Sequence, residues 1–156
     1  MAYNAVDLID KAIKLAIRKK IIYEKIGKDN WNVPSIKIMS KVLAKEMDKT
    51  VKYYETLENA IGKIEFDEID FYIYDKMSFL IDEFNKEIHV TEIDNIKGYL
   101  KFSLDLEKDV KSLFIDIQGR FVKNESDLHT KTYEVLSDII NNKSINIEVL
   151  EKILKE

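Results

Sequence analysis

Residues 39–61 read MSKVLAKEMDKTVKYYETLENAI, and the positions Met39, Leu43, Met47, Thr50, Tyr54, Leu57 and Ile61 advance along it in steps of four and three. That spacing keeps one face of an α-helix turned toward a packed partner, so the stretch predicts a long helix with a nearly unbroken seam. Pro34 suits the start of this helix, because its φ is preset and its missing N–H is one that a helix start leaves unpaired. Upstream, an apolar helical pattern runs from Asn4 through Tyr23 and Ile26. Asn4 is the expected N-cap, with Asp7 favourably placed in the first turn. The chain has four glycines and one proline, and Gly27, Gly62 and Gly119 each stand where an apolar pattern stops. They are expected to close helices.

The same layout recurs in the second half. A third long helix is expected with Thr91 as N-cap and Asp94 three residues on, carrying Tyr99, Ser103, Leu106, Val110, Leu113 and Ile117 on one face. Gly98 within it costs about 1 kcal/mol relative to alanine. A fourth is expected after Ser126, with the stripe Tyr133, Leu136, Ile140, Lys143, Ile147, Leu150 and Leu154, in which a lysine interrupts the apolar series. The chain thus reads as one helical hairpin over about 4–62, a second over about 91–156, and a crossover over about 63–90. The crossover holds Phe66, Ile69, Phe71, Tyr72, Ile73, Phe79 and Phe84, too apolar for a loose linker, and predicts a short helix near 75–86. At 156 residues and 46% hydrophobic, the length fits a single domain over 1–156.

Composition narrows the function. The absence of cysteine excludes disulfides, zinc-thiolate sites and thiol chemistry. Met1 to Asp7 shows neither the basic nor the apolar region of a signal peptide, and no apolar run approaches a membrane span. The expectation is a soluble, cytoplasmic chain with no membrane partner. A net charge of −4 with 35% charged residues argues against general nucleic-acid binding, which needs clustered basic surface. The triplet Arg18, Lys19, Lys20 reads as a solvated face with room for one buried member. No glycine-rich phosphate loop, Gly-x-Ser-x-Gly elbow or Cys/His pair is present.

Two short-turn hairpins joined by one long link resemble the ferritin-like four-helix bundle, and within it the rubrerythrin-like branch. Ala12 to Lys25 looks like the first helix of such a hairpin and Leu43 to Glu55 like its second; Leu106 to Phe114 and Ile139 to Glu151 look like the corresponding pair in the other half. The resemblance implies an all-α fold: a ferritin-like four-helix bundle of two helical hairpins joined by a long crossover containing a short helix. It also implies a di-iron or di-manganese site, built from one Glu on each of two helices and Glu-x-x-His on each of the other two.

Aligned on that pattern, the six ligand positions hold Ala16, Met47, Thr50, Glu107, Lys143 and Asn146, so only Glu107 keeps a metal-binding side chain. His89 and His129 lie far along the chain from these positions. Glu107 and Lys143 fall on facing helices at similar depth, and a buried carboxylate is tolerated mainly when paired, so they form the candidate buried ion pair. The alternative is that both side chains extend to solvent at the edge of the seam. The expected function is a non-catalytic binding or interaction protein with no metal and no other cofactor. The alternative is an iron- or manganese-dependent oxidoreductase or metal-handling protein with an unconventional site using Glu107 and residues such as Glu24, Glu46 or Glu55. Asp67, Glu68, Asp70 and Asp75 form an acidic cluster without the glycine or spacing of a calcium loop. Phe71, Ile73 and Phe79 are candidates for a homodimer interface if they face outward.

Overall fold

The Asn4 side chain accepts a hydrogen bond from the Val6 N–H at 2.9 Å, and the Asp7 carboxylate accepts one from the Asn4 N–H at 2.9 Å. This reciprocal cap satisfies donors that a helix start leaves open, and it opens the first helix where the sequence places it. The computed structural model describes residues 4–61 and 69–155, which form α1 (Ala5–Asp29), α2 (Pro34–Ile61), α3 (Phe71–Glu87), α4 (Ile96–Phe121) and α5 (Lys131–Lys155), with a 3-10 turn at Glu125–His129 before α5. Among the described residues no helix is long and apolar enough to cross a membrane.

Alpha-helices α1 and α2 pack along each other, as do α4 and α5, while α3 bridges α1 and α4. The core falls into two clusters. One gathers the start of α1 (Leu8, Ala12, Leu15), Tyr54 late in α2, Met77 and Ile81 of α3, the end of α4 (Phe114, Ile117) and the start of α5 (Val135, Leu136, Ile139). The other gathers the end of α1 (Ile22, Ile26), the start of α2 (Ile36, Leu43), the start of α4 (Tyr99, Leu104) and the end of α5 (Ile147, Leu150). Helices α1 and α5 therefore run from the first cluster to the second, and α2 and α4 run the other way. Since α2 finishes at the first cluster and α4 begins at the second, the link between them has to travel back along the core. At about 1.5 Å per residue, the 17-residue α3 covers roughly 25 Å of that return. The Lys11–Asp82 ion pair at 3.0 Å fastens it to α1.

Several boundaries differ from the sequence expectation, each for a local reason. Alpha-helix α1 continues through Gly27 to Asp29 and is capped by Asn30, whose N–H donates to the Ile26 carbonyl at 3.1 Å and whose side-chain amide donates to the same oxygen at 2.9 Å. Gly27 is instead a close-approach residue: a Cβ there would stand 2.7 Å from the Ser40 Cβ on α2. Gly119 lies inside α4, which ends at Phe121, and no described glycine has positive φ. The cap of α4 is Asn95 rather than Thr91; its side-chain oxygen accepts from the Gly98 N–H at 2.8 Å, so Gly98 sits in the first turn. His129 ends the 3-10 turn and precedes α5 rather than opening it. The crossover helix is longer than expected, because Asp70 caps it by accepting from the Tyr72 N–H at 2.9 Å. Gly62, Phe66, Asp67 and Glu68 lie outside the described residues, as does the side chain of Ile61.

The two glycines respond oppositely to the same change. Gly27→Ala is expected to destabilise by about 1–3 kcal/mol through overpacking against Ser40, despite the better helix propensity of alanine. Gly119→Ala meets nothing within 4 Å and is expected to stabilise by up to about 1 kcal/mol. Thermal denaturation of both variants measures the difference in sign.

Candidate functional site: a buried Lys-Glu-Lys layer

Between the two apolar clusters, each long helix places a polar side chain at its breakpoint. These are Lys19 between Ala16 and Ile22, Thr50 between Met47 and Tyr54, Glu107 beside Leu106, and Lys143 between Ile139 and Ile147. All four are buried; Lys19, Glu107 and Lys143 are only 1%, 2% and 2% exposed. Glu107 stands between the two lysines. Its Oε1 accepts a hydrogen bond from the Lys19 ammonium, and its Oε2 faces the Lys143 Nζ at 3.2 Å in an ion pair that falls short of a directed hydrogen bond. The layer thus joins α1, α4 and α5. The Thr50 hydroxyl completes it from α2 but donates to the Glu46 carbonyl at 3.0 Å, so its hydrogen is already committed to backbone.

The electrostatics follow from two ammonium groups sharing one carboxylate in a dry interior. Burial alone would raise the Glu107 pKa, but Lys19 and then Lys143 outweigh it and hold the carboxyl down at about 2. For Lys143, burial again opposes charge, and Glu107 together with Tyr54 outweighs it, keeping the group above the ordinary lysine value. Lys19 goes the other way. Burial, reinforced by the like charge of Lys143, overcomes the attraction of Glu107 and brings it down to about 7. At neutral pH the layer therefore lies close to the point where it sheds its surplus positive charge and leaves one matched pair. Tyr23 and Tyr54 border the layer, and burial, the largest cause for each, pushes their phenols upward. Below Tyr23, the Ser40 hydroxyl and the Tyr99 phenol meet at 2.9 Å and tie α2 to α4.

The six positions aligned with the ligand pattern divide. Ala16 and Met47 are buried in the apolar clusters on either side of the layer. Glu107 and Lys143 come together within it, whereas Asn146 is half-buried at the edge of a cleft of about 260 Å³, lined also by Met39, Leu43 and Val149, that reaches down to Glu107. The histidines do not approach; His89 and His129 are both exposed. Glu46 engages Lys49 at the surface at 3.1 Å, and Glu24 lies on the surface near Lys20. Among the described residues no three His, Cys, Asp or Glu side chains converge as a metal site would require. One carboxylate flanked by two ammonium groups does not fit iron or manganese, because a hard cation needs several anionic or neutral donors and is repelled by ammonium.

Lys19 is the member that sequence reasoning did not single out. Its signal lies in the spacing: Leu8, Ala12, Leu15, Lys19, Ile22 and Ile26 step by four and three, so Lys19 occupies a seam position while Arg18 is exposed and Lys20 half-buried. Comparison with models of known protein families, with curated proteins and with solved structures finds no match.

Glu107→Leu is expected to destabilise by about 3–5 kcal/mol, because it leaves buried positive charge uncompensated. Lys19→Met/Glu107→Leu/Lys143→Met should recover most of that loss, and denaturant unfolding of both variants checks it. Equal losses would mean that the three side chains do not act as a unit. A pH dependence also follows. Between about 7 and the ordinary lysine value of 10.5, the unfolded chain keeps on Lys19 a proton that the folded protein has released, so stability rises with pH through this window. Glu58, raised to about 7 by burial and then by Asp10, acts below the window. Lys143 acts above it. The expected result is a melting temperature that climbs from pH 7 to about 9 in the native chain, below the pH at which the unfolded chain's tyrosines ionise and begin to oppose it, and that loses this climb in Lys19→Met.

Proposed function

We propose that this chain is a non-catalytic ferritin-like four-helix bundle: a binding or interaction protein in which two ammonium groups occupy the place where a di-metal centre would sit. The observation that carries the reading is Glu107 held between Lys19 and Lys143 at mid-depth of the core. Glu107 is the one former ligand position that retains an acid, and its neighbours supply the positive charge that metal ions would otherwise provide. The helix directions also support it, since a long link between two helices that run the same way is what a ferritin-like connection requires.

In this reading the interior stabilises and aligns the helices, and the chain acts through its surfaces. A redox or metal-handling role would need donors that the layer lacks. Protein produced with iron and manganese supplied and purified without chelator is expected to carry well under one equivalent of either metal. Its melting temperature is expected not to change when the metals are added back. Elemental analysis measures the first and a thermal scan the second. About two equivalents of metal, lost on Glu107→Ala, would overturn the proposal.

A further inference from the structure

Charge is unevenly divided along the chain. Residues 4–61 carry twelve Lys and Arg against eight Asp and Glu, while the remainder carries thirteen against twenty-one. Much of the excess positive charge borders one groove of about 520 Å³ between the C-terminal half of α1 and the N-terminal half of α2. Its walls carry Lys28, Lys37, Lys41 and Lys45, all exposed, and none of the four forms an ion pair among the described residues. Lys37, Lys41 and Lys45 repeat every fourth residue, which places three like charges on one helix face about 6 Å apart. Like charges at that spacing oppose each other, so nothing in the helix itself favours the arrangement.

The groove also has an aromatic wall. Trp31, in the turn between α1 and α2, lines it while 74% exposed. The concavity comes from small residues on the seam: Gly27 lets α1 approach Ser40 closely, and Ala44 continues the floor along α2. The two carboxylates in the lining, Asp48 and Glu24, stand 2.8 Å and 3.9 Å from Lys20, which leaves Lys28, Lys37, Lys41 and Lys45 as the lining cations outside any ion pair among the described residues.

We propose that this groove binds a nucleotide, with its base stacked on Trp31 and its phosphates held by Lys37, Lys41 and Lys45. A planar π-face beside a row of unpaired ammonium groups matches a ligand that joins a flat ring to several adjacent negative charges. The volume lies within the range of small-molecule sites. A membrane surface fits less well, because the lysines and Trp31 border a concavity between two helices that a flat bilayer does not enter. A nucleic-acid strand fits less well, because there is one aromatic platform and the chain as a whole is acidic.

Trp31 is the only tryptophan in the chain, so its fluorescence reports on this groove alone. Titration of the full chain with adenosine triphosphate at low ionic strength is expected to quench it saturably, with adenosine alone and tripolyphosphate alone each binding about tenfold more weakly or worse. Lys37→Glu/Lys41→Glu should weaken nucleotide binding by about tenfold or more, with the helical circular dichroism unchanged. Trp31→Ala should weaken it when binding is followed by calorimetry. No saturable response to millimolar nucleotide would overturn the proposal. So would a response to phosphatidylserine vesicles, to a single-stranded oligonucleotide or to rising protein concentration when the nucleotide produces none.

Discussion

A carboxylate removed from water must find positive charge, and in this molecule Glu107 finds it twice. The need to neutralise that one group brings α1, α4 and α5 to a common level. Around it the core cannot be continuous, because apolar side chains at the same depth would displace the partners. Hence the two apolar clusters lie on either side of the layer, and each long helix changes from apolar to polar and back at the same height. Dispersion and burial stabilise both clusters, but neither specifies how far one helix slides along the next. A directed contact between charges does, since sliding any of the three helices by one turn would leave an ammonium or a carboxylate facing hydrocarbon.

What could be read from the chain, and what could not, follows from where each feature has its physical cause. The seam of α2 and the starts at Asn4 and Pro34 depend on residues within a few positions of one another, so the pattern reveals them. The meeting of Glu107 with Lys143 is a step further away, yet Lys143 interrupts an apolar stripe and Glu107 sits beside one at a comparable depth. Lys19 was harder, because two neighbouring basic residues hide the one that faces inward. Gly27 shows the same limit from the other side. Its position at the fading of an apolar pattern suggests a cap, but what holds it there is Ser40 on another helix. Thr91 and Asn95 both offer a capping side chain, and only the backbone geometry chooses between them.

Polar groups serve different purposes inside and outside. In the interior they are few and buried, and the charged layer and the contact between Ser40 and Tyr99 link them from helix to helix. On the surface of the first hairpin they are numerous and one-sided, with several lysines outside any ion pair among the described residues although acids are plentiful elsewhere in the chain. Gly27 and Ser40 contribute to both regions. Their close approach sets the spacing of α1 and α2, and the same missing bulk opens the groove along which those lysines stand.

The contact between Lys19 and Glu107 spans 88 positions of the chain. A first hairpin leaving the ribosome therefore carries an ammonium on the very face it would need to bury, long before its counter-ion has been made. Until α4 arrives, that face is better left wet, so the half-made protein has a built-in reason to wait rather than collapse around the wrong partner.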